Sequence, residues 1–207
     1  MANLVTLVRF FLLIILCYML LSKSLAVLIW AYLVGTIMYL MDILDGYVAR
    51  KFNCASPLGS MFDVTVDRIT EISIFVVFTY LHLVPLWLPI LFIVRGSFTD
   101  MIRNYLLSQN ISALSFNTLK SRWLTAIVDN STIRWVYATL KGFFTAYLLA
   151  MLIYAIHYTS IYHAHHALFI GIRDVFMYVI VIINIARALP VFIDFYLYVR
   201  NTKEMRG

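Results

Sequence analysis

Five acidic residues lie at helical spacing in two consecutive apolar segments of the chain: Asp42 and Asp45 in the first, and Asp63, Asp67 and Glu71 in the second. At about 100° per residue, each group falls on one face of a helix. A carboxylate at the centre of a bilayer costs at least about 2.5–3.5 kcal/mol on insertion scales. Several carboxylates in adjacent apolar helices therefore indicate a functional site.

The two acidic faces are expected to meet at one end of the helices. A short connection joins them, in which Ser56 is a predicted N-cap and Pro57 a predicted first helical residue. Converging carboxylates repel each other unless cations neutralise them, and an all-oxygen ligand set favours Mg²⁺, Mn²⁺ or Ca²⁺. Solvation at helix ends, or pairing with Arg50 and Arg68, is the alternative that needs no metal.

Small and basic residues beside the carboxylates indicate a ligand that carries phosphate. Gly46 and Ala49 remove side-chain bulk from the acidic face of the first helix, although small residues also favour helix packing in membranes. Arg50 follows on the same face. Its guanidinium suits bidentate binding of phosphate, and its alternative role is to extend towards the membrane surface.

Composition indicates that these helices cross a membrane. Of the 207 residues, 63% are hydrophobic and 13% are charged, whereas a soluble domain is nearer half apolar and a quarter charged. A spanning helix needs roughly 20 mainly apolar residues. Six segments qualify, the first being interpreted as a span rather than a secretory signal: about 4–22, 25–50, 58–82, 84–107, 135–157 and 167–199. The predicted fold is all-α, a polytopic membrane protein with six transmembrane helices around a cytoplasm-facing polar cavity.

Basic residues are concentrated on one side of the predicted membrane: Arg50, Lys51, Lys120, Arg122, Arg134, Arg200, Lys203 and Arg206. The opposite side holds Lys23 and a histidine group, His163, His165 and His166, that is expected at the surface rather than in a metal site. The positive-inside rule therefore predicts that both termini and the acidic site face the cytoplasm. No basic stripe with interleaved aromatic residues lies outside the apolar segments, which argues against nucleic-acid binding.

The segment DILDGYVARKFNCASPLGSMFDVTVD resembles the signature of the CDP-alcohol phosphotransferase family, D-x2-D-G-x2-A-R-x8-G-x3-D-x3-D. The specified positions are Asp42, Asp45, Gly46, Ala49, Arg50, Gly59, Asp63 and Asp67. Chance agreement at all of them has a probability on the order of 10⁻¹⁰ per starting position. The six-segment layout is also similar, so residues 1–207 are expected to form a single transmembrane domain of this family.

The resemblance implies a reaction and a role for each signature residue. Members transfer a substituted phosphate from a CDP-alcohol to an acceptor hydroxyl and release CMP. The implied metal ligands, for two Mg²⁺ or Mn²⁺ ions, are Asp42, Asp45, Asp63 and Asp67. Asp67 also matches the residue proposed to take the acceptor proton. The implied CDP-binding residues are Asn3, Thr6, Asp45, Gly46, Ala49, Arg50 and Gly59. The implied partners are a CDP-diacylglycerol-type donor, a small alcohol, the lipid bilayer and a second copy of the chain.

Residues that bind the acceptor are expected outside the signature. Arg95 and Arg103 lie on one helical face and are similar to an Arg-x7-Arg pair of phosphatidylglycerophosphate synthases. Lys141 and Thr145 belong to a stretch that weakly resembles the G-K-x-K-T-A segment of that branch, without its second lysine. Arg187 is a further candidate for an acceptor phosphate.

The sequence orders the possible acceptors but leaves them open. The opening Asn3-x2-Thr6-x2-Arg9 is similar to that of phosphatidylglycerophosphate and inositol-lipid synthases. Glycerol 3-phosphate comes first, then inositol 1-phosphate or inositol, then serine or choline. The connection at 108–134 is predicted to cover the acceptor cavity, to lie on the membrane surface or only to connect. An intramembrane ion transporter is the alternative from another class; the grouping of the carboxylates at one end and the lack of internal repeats favour the transferase.

Overall fold

The computed structural model describes residues 2–52, 57–108 and 131–204, and the side chains of 42–61 lie outside that description. Every regular element in these residues is helical. The seven helices are α1 (Ala2–Leu20), α2 (Leu25–Phe52), α3 (Pro57–Tyr80), α4 (Trp87–Ser108), α5 (Ser131–His157), α6 (Thr159–Ala164) and α7 (His166–Glu204). The predicted all-α class is confirmed.

The six long helices follow the six predicted apolar segments within a few residues at most ends. α3 begins at Pro57, where proline was expected to start the helix. Between α5 and α7 the structure adds the short helix α6, where the sequence predicts a plain connection. The interpretation of the connection at 108–134 falls mostly on residues outside the described ranges.

Two helices in the described part of the chain are long and apolar enough to cross a bilayer. Their spanning stretches are Trp135–His157, with 23 residues, and His166–Ile193, with 28 residues. Shorter apolar stretches lie in α1 and α2, at Thr6–Leu20 and Leu25–Met41. The six-span arrangement stays a prediction.

The chain groups into two compact units. The first comprises Met1–Ile90 and Gly142–Arg173, and the second comprises Leu91–Lys141 and Asp174–Gly207. Helices α4, α5 and α7 each contribute residues to both units. The single domain over 1–207 stays a prediction.

In the first unit, α1 packs against α2 and α3. Leu13, Leu16 and Leu20 form the buried face of α1 at helical spacing. Residues on other faces of α1, such as Phe11 and Ile14, are more than half exposed. Large apolar side chains exposed in this density are typical of a surface that contacts lipid or protein.

Helix α5 enters the first unit at Gly142. An added Cβ at this position would lie 3.1 Å from Cε2 of Tyr39 in α2. Further along, Phe144 is fully buried and its ring lies 6.0 Å from that of Phe75 in α3. Since Tyr39 lies three residues before Asp42, the backbone of α5 packs within one turn of the signature segment of α2.

A capped turn joins α3 to α4. His82 has a φ of 58°. The N–H groups of His82 and Leu83 donate to the carbonyls of Thr79 and Phe78 at 3.0 and 2.9 Å. This Schellman arrangement satisfies the last carbonyls of α3. Nη1 of Arg173 in α7 donates to the carbonyl of Leu83 at 3.2 Å, which holds the turn in the first unit.

The second unit packs parts of α4, α5 and α7 around an apolar core: Phe92, Ile102, Tyr137, Met177, Ile180, Val181, Ala188 and Val191. Rings of α4 and α7 contact each other in two pairs, Phe98 with Phe192 at 6.4 Å and Tyr105 with Phe195 at 5.7 Å. Pro190 is buried inside α7, where it removes one helical hydrogen bond.

Candidate active site

The signature segment is helical on both sides of its connection. Helix α2 extends to Phe52 and α3 begins at Pro57. The signature residues on these two helix ends are Asp42, Asp45, Gly46, Ala49, Arg50, Gly59, Asp63 and Asp67. Asp67 is the one whose side chain the structure describes, so the contacts expected of the others stay predictions.

Asp67 forms an ion pair that links α3 to α1. Nη2 of Arg9 donates to Oδ1 of Asp67. The Arg9 side chain is 3% exposed, whereas that of Asp67 is 49% exposed. The buried cation therefore orients one carboxylate oxygen, while about half of the Asp67 side chain is open to a ligand. This contact was not predicted.

The buried face of α1 becomes polar towards its N-terminus. Thr6 and Arg9 are 3% and 2% exposed and continue the helical face that Leu13 and Leu16 form further along. Thr6, a predicted CDP-binding residue, thus shares the face on which Arg9 contacts Asp67. Asn3 lies one turn earlier on α1, and its side chain is outside the described residues.

The donors on α2 and α3 fit a hard divalent cation by their chemistry. All four predicted ligands are carboxylates, spaced three residues apart on α2 and four apart on α3, which are same-face spacings in a helix. Among the described side chains, no group of three or more His, Cys, Asp or Glu could hold a metal ion. Three of the predicted ligands, Asp42, Asp45 and Asp63, are not among the described side chains.

A second polar cluster lies in the second unit around Tyr137 of α5. Nζ of Lys141 lies 4.6 Å from the centroid of the Tyr137 ring, and Cζ of Arg187 lies 5.0 Å from it. Nδ2 of Asn184 donates to the Tyr137 hydroxyl at 2.6 Å. Tyr137 and Lys141 share a face of α5, and Asn184 and Arg187 share a face of α7. We call these four residues the Tyr137 cluster.

The Tyr137 cluster unites two predicted acceptor-binding residues, Lys141 and Arg187. Cation–π contacts are worth about 0.5–2 kcal/mol each, depending on exposure, and hold both cations at one ring. Tyr137 and Asn184 were not predicted. Their spacing from Lys141 and Arg187 was a usable signal, because each lies within one helical turn of a predicted cation.

The structure places the other predicted acceptor-binding residues on α4 and α5. Arg95 is partly buried in the second unit, and Thr99 donates to its carbonyl at 3.0 Å. Arg103 lies on α4 with its side chain outside the description. Thr145 is partly buried in the first unit, four residues after Lys141 on α5.

Comparison with known proteins defines the class of this all-helical chain as a transferase of substituted phosphate groups. Residues 1–186 match the family model of CDP-alcohol phosphatidyltransferase. The chain belongs to this family, which consists of integral membrane proteins, and the predicted resemblance is confirmed.

Relatives carry the name of a lipid-synthesising member. Over 66 residues the chain is 38% identical to the cardiolipin synthase (CMP-forming) of Streptomyces coelicolor, an alignment that covers 32% of this chain and 31% of that protein. Over 73 residues it is 33% identical to proteins of Mycobacterium bovis and Mycobacterium tuberculosis that are provisionally named cardiolipin synthase. That alignment covers 35% of each protein. The similarity thus spans about a third of the relatives' length.

Proposed function

We propose that the chain transfers the phosphatidyl group of CDP-diacylglycerol, or a related CDP-lipid, to a glycerol hydroxyl of a phosphate-bearing acceptor and releases CMP. Family membership supports the class of reaction. The observation that carries the proposal is Asp67, a half-exposed carboxylate that the buried Arg9 holds on the signature helix α3.

In the proposed step, the acceptor oxygen attacks the donor phosphorus that carries the diacylglycerol. A new P–O bond forms to that phosphorus, and its bond to the bridging oxygen breaks. CMP leaves with the bridging oxygen. The Asp67 carboxylate takes the proton of the attacking hydroxyl, and general-base help of this kind contributes about 10²- to 10⁴-fold to the rate. Arg9 keeps the carboxylate in one orientation for this transfer.

The residues proposed to hold two Mg²⁺ or Mn²⁺ ions are Asp42, Asp45, Asp63 and Asp67. Such ions, when bound, neutralise negative charge on the diphosphate and on the leaving CMP. Asp67 would then be both a metal ligand and the base. Each oxygen of a carboxylate has two lone pairs, so these tasks are compatible with the bond from Arg9. The exposed side chain of Asp67 supports this double role.

The residues proposed to bind the CDP group are Asn3, Thr6, Asp45, Gly46, Ala49, Arg50 and Gly59. The three small residues leave room for the nucleotide against the helix backbones, and Arg50 suits bidentate binding of a phosphate. The buried position of Thr6 beside Arg9 supports its place near the catalytic carboxylate.

We propose an acceptor that carries a phosphate, because Lys141 and Arg187 bring two cations to the ring of Tyr137. Guanidinium and ammonium groups are the side chains that bind phosphate most often. Arg95, Arg103 and Thr145 are further proposed contacts. Glycerol 3-phosphate is the first candidate acceptor.

The relatives' names favour a second candidate, phosphatidylglycerol. Cardiolipin contains two phosphatidyl groups on one glycerol, so its CMP-forming synthesis adds a phosphatidyl group to a glycerol that already bears one. Both candidates offer a glycerol hydroxyl and a phosphate. Inositol 1-phosphate, inositol and serine would use the same chemistry, whereas family membership gives an ion transporter no support.

The proposal includes a multi-pass arrangement with the site and both termini on the cytoplasmic side. The distribution of Lys and Arg along the chain supports it. The proposal also includes a homodimer, which the family resemblance supports.

An acceptor panel tests the proposed function. Purified protein receives CDP-diacylglycerol labelled in the phosphatidyl group, Mg²⁺ or Mn²⁺, and one acceptor at a time: glycerol 3-phosphate, phosphatidylglycerol, inositol 1-phosphate, inositol or serine. We expect one labelled lipid product with a glycerol acceptor and one CMP per product. An absence of labelled product with both glycerol acceptors would overturn the proposal.

A further inference from the structure

The amide of Asn184 is buried but only half satisfied. Its side chain is 2% exposed in the apolar helix α7. One end of the amide bonds to the Tyr137 hydroxyl at 2.6 Å. The other end, Oδ1, has no hydrogen-bond partner among the described residues. A bond between α5 and α7 therefore explains one end of this side chain and leaves the desolvation of the other uncompensated.

One end of the Asn184 amide lacks a partner whichever way the amide is turned. If the amide is rotated by half a turn, its oxygen accepts from the Tyr137 hydroxyl and its NH₂ group takes the unpartnered position. A ligand hydroxyl satisfies both cases, because it donates to an oxygen and accepts from a nitrogen. The position thus suits a hydroxyl group.

The same cluster provides for a phosphate close to that hydroxyl group. The ring whose hydroxyl bonds to Asn184 has Lys141 Nζ and Arg187 Cζ within 5.0 Å of its centroid. Asn184 and Arg187 are also three residues apart on one face of α7. The unpartnered end of the amide and the two cations thus belong to one cluster, with the residue types that a molecule with a hydroxyl next to a phosphate ester requires.

We infer that Asn184 is a specificity-determining residue that binds the central hydroxyl of a glycerol phosphate acceptor, while Lys141 and Arg187 bind its phosphate. This inference rests on the proposed function. In glycerol 3-phosphate and in the headgroup of phosphatidylglycerol, the phosphate and the reacting hydroxyl occupy opposite ends of the glycerol. The central hydroxyl lies between them and takes no part in bond formation. Tyr137 contributes its ring, beside which both cations lie.

Acceptors that lack the central hydroxyl test this inference in the unmodified protein. The pairs are glycerol 3-phosphate against propane-1,3-diol monophosphate, and phosphatidylglycerol against phosphatidylpropane-1,3-diol. A buried polar group left unpaired predicts that kcat/KM falls about 10- to 100-fold with the deoxy acceptor. Equal use of both members of the pair that the protein accepts would overturn the inference, whatever any variant shows.

Variants then separate recognition from a purely structural bond. In Asn184→Leu, we expect kcat/KM for the glycerol acceptor to fall while the deoxy acceptor is little affected, so that the two differ by less than about threefold. Tyr137→Phe is the matched control, since it removes the bond between α5 and α7 but retains the ring and the amide. It should keep most of the discrimination. Asn184→Ala replaces the leucine variant if that protein does not elute as a single species in detergent.

The outcomes distinguish a failure of the role of Asn184 from a failure of the proposed function. Transfer to a glycerol acceptor with unchanged discrimination in Asn184→Leu would refute the role of Asn184 and leave the proposed function standing. Loss of discrimination in Tyr137→Phe to the same extent as in Asn184→Leu would also refute it, because the bond between the helices would then be the cause. No transfer to either glycerol acceptor by the unmodified protein would refute both.

Discussion

Arg9 is almost fully buried in a largely apolar helix, and Asp67 explains why. A buried guanidinium is costly unless it is paired. Its partner is half exposed, so water screens the pair and limits what it adds to stability. The contact is therefore best understood as a means of orienting the carboxylate, which is a requirement of catalysis more than of folding.

Asp67→Asn should abolish phosphatidyl transfer and spare donor binding. The amide keeps the shape of the carboxylate but cannot take the acceptor proton, so we expect kcat to fall by about 10²- to 10⁴-fold. Binding of CDP-lipid, measured by ligand-dependent thermal stability, should stay near that of the unmodified protein. Asp174→Asn, the same change in α7 and outside the signature, is the control. Full turnover in Asp67→Asn would remove this residue from the mechanism.

Substitutions of Arg9 should separate its charge from its shape. Arg9→Met keeps the apolar stem and removes the cation, and we expect kcat to fall about 10- to 100-fold as the carboxylate loses its fixed orientation. Arg9→Lys keeps the charge but not the planar guanidinium. Its kcat should lie between that of Arg9→Met and that of the unmodified protein. Initial rates at saturating donor provide the measurement. Equal rates in Arg9→Met and the unmodified protein would show that Arg9 has no role in positioning.

Residue types made some residues candidates for the site. Charged side chains stand out in apolar segments, so Asp67, Lys141 and Arg187 were proposed without coordinates, and their roles stay predictions. The partner of Arg9 could not be predicted, because it lies on another helix 58 residues away in the chain. Tyr137 and Asn184 carry no formal charge and lie outside the signature, and only the packing of α5 against α7 shows that they meet.

Helices were easier to predict than their pairings. Long apolar runs identified the six long helices, and proline at position 57 identified the start of α3. The short helix α6 was missed, because its six residues are too few for a periodic signal. Ring contacts connect α6 to the start of α7. The ring centroid of Tyr162 lies 5.3 Å from that of His166 and 5.5 Å from that of Phe169, and the sequence pattern does not reveal these contacts.

Gly142→Ala should disturb the packing of α5 against α2. The new Cβ would lie 3.1 Å from the Tyr39 ring, which must shift by a few tenths of an ångström, one turn before Asp42. We expect a lower melting temperature and a lower kcat. Gly171→Ala is the control, since nothing lies within 4 Å of its added Cβ and alanine favours a helix by up to about 1 kcal/mol. Equal melting temperatures of the two variants would show that the packing of residue 142 against Tyr39 is not tight, which would contradict this prediction.

The described residues combine a few buried polar side chains with many exposed apolar ones. Arg9, Thr6, Thr99 and Asn184 are buried, whereas large apolar side chains are exposed along most long helices. Helix α7 has 39 residues; at 1.5 Å per residue it is about 60 Å long, roughly twice the hydrocarbon thickness of a bilayer. It is therefore long enough to span the membrane and to extend beyond it.

Cysteine accessibility should reveal the predicted orientation. In a background of Cys17→Ser and Cys54→Ser, a cysteine replaces either Lys203 or His165, and a membrane-impermeant maleimide is added to sealed membranes. The distribution of basic residues predicts that position 203 reacts only when the cytoplasmic face is exposed and position 165 only from the opposite face. Labelling of both positions from the same side would contradict the topology.

Release of CMP from CDP-diacylglycerol, followed with and without divalent metal, tests the central claim most directly. Two acidic helix ends that hold Mg²⁺ or Mn²⁺ predict that CMP and the new phospholipid form together in equal amounts, that a chelator stops both, and that added metal restores both. Equal product formation in the presence of excess chelator, or no CMP under any metal and any acceptor, would contradict it.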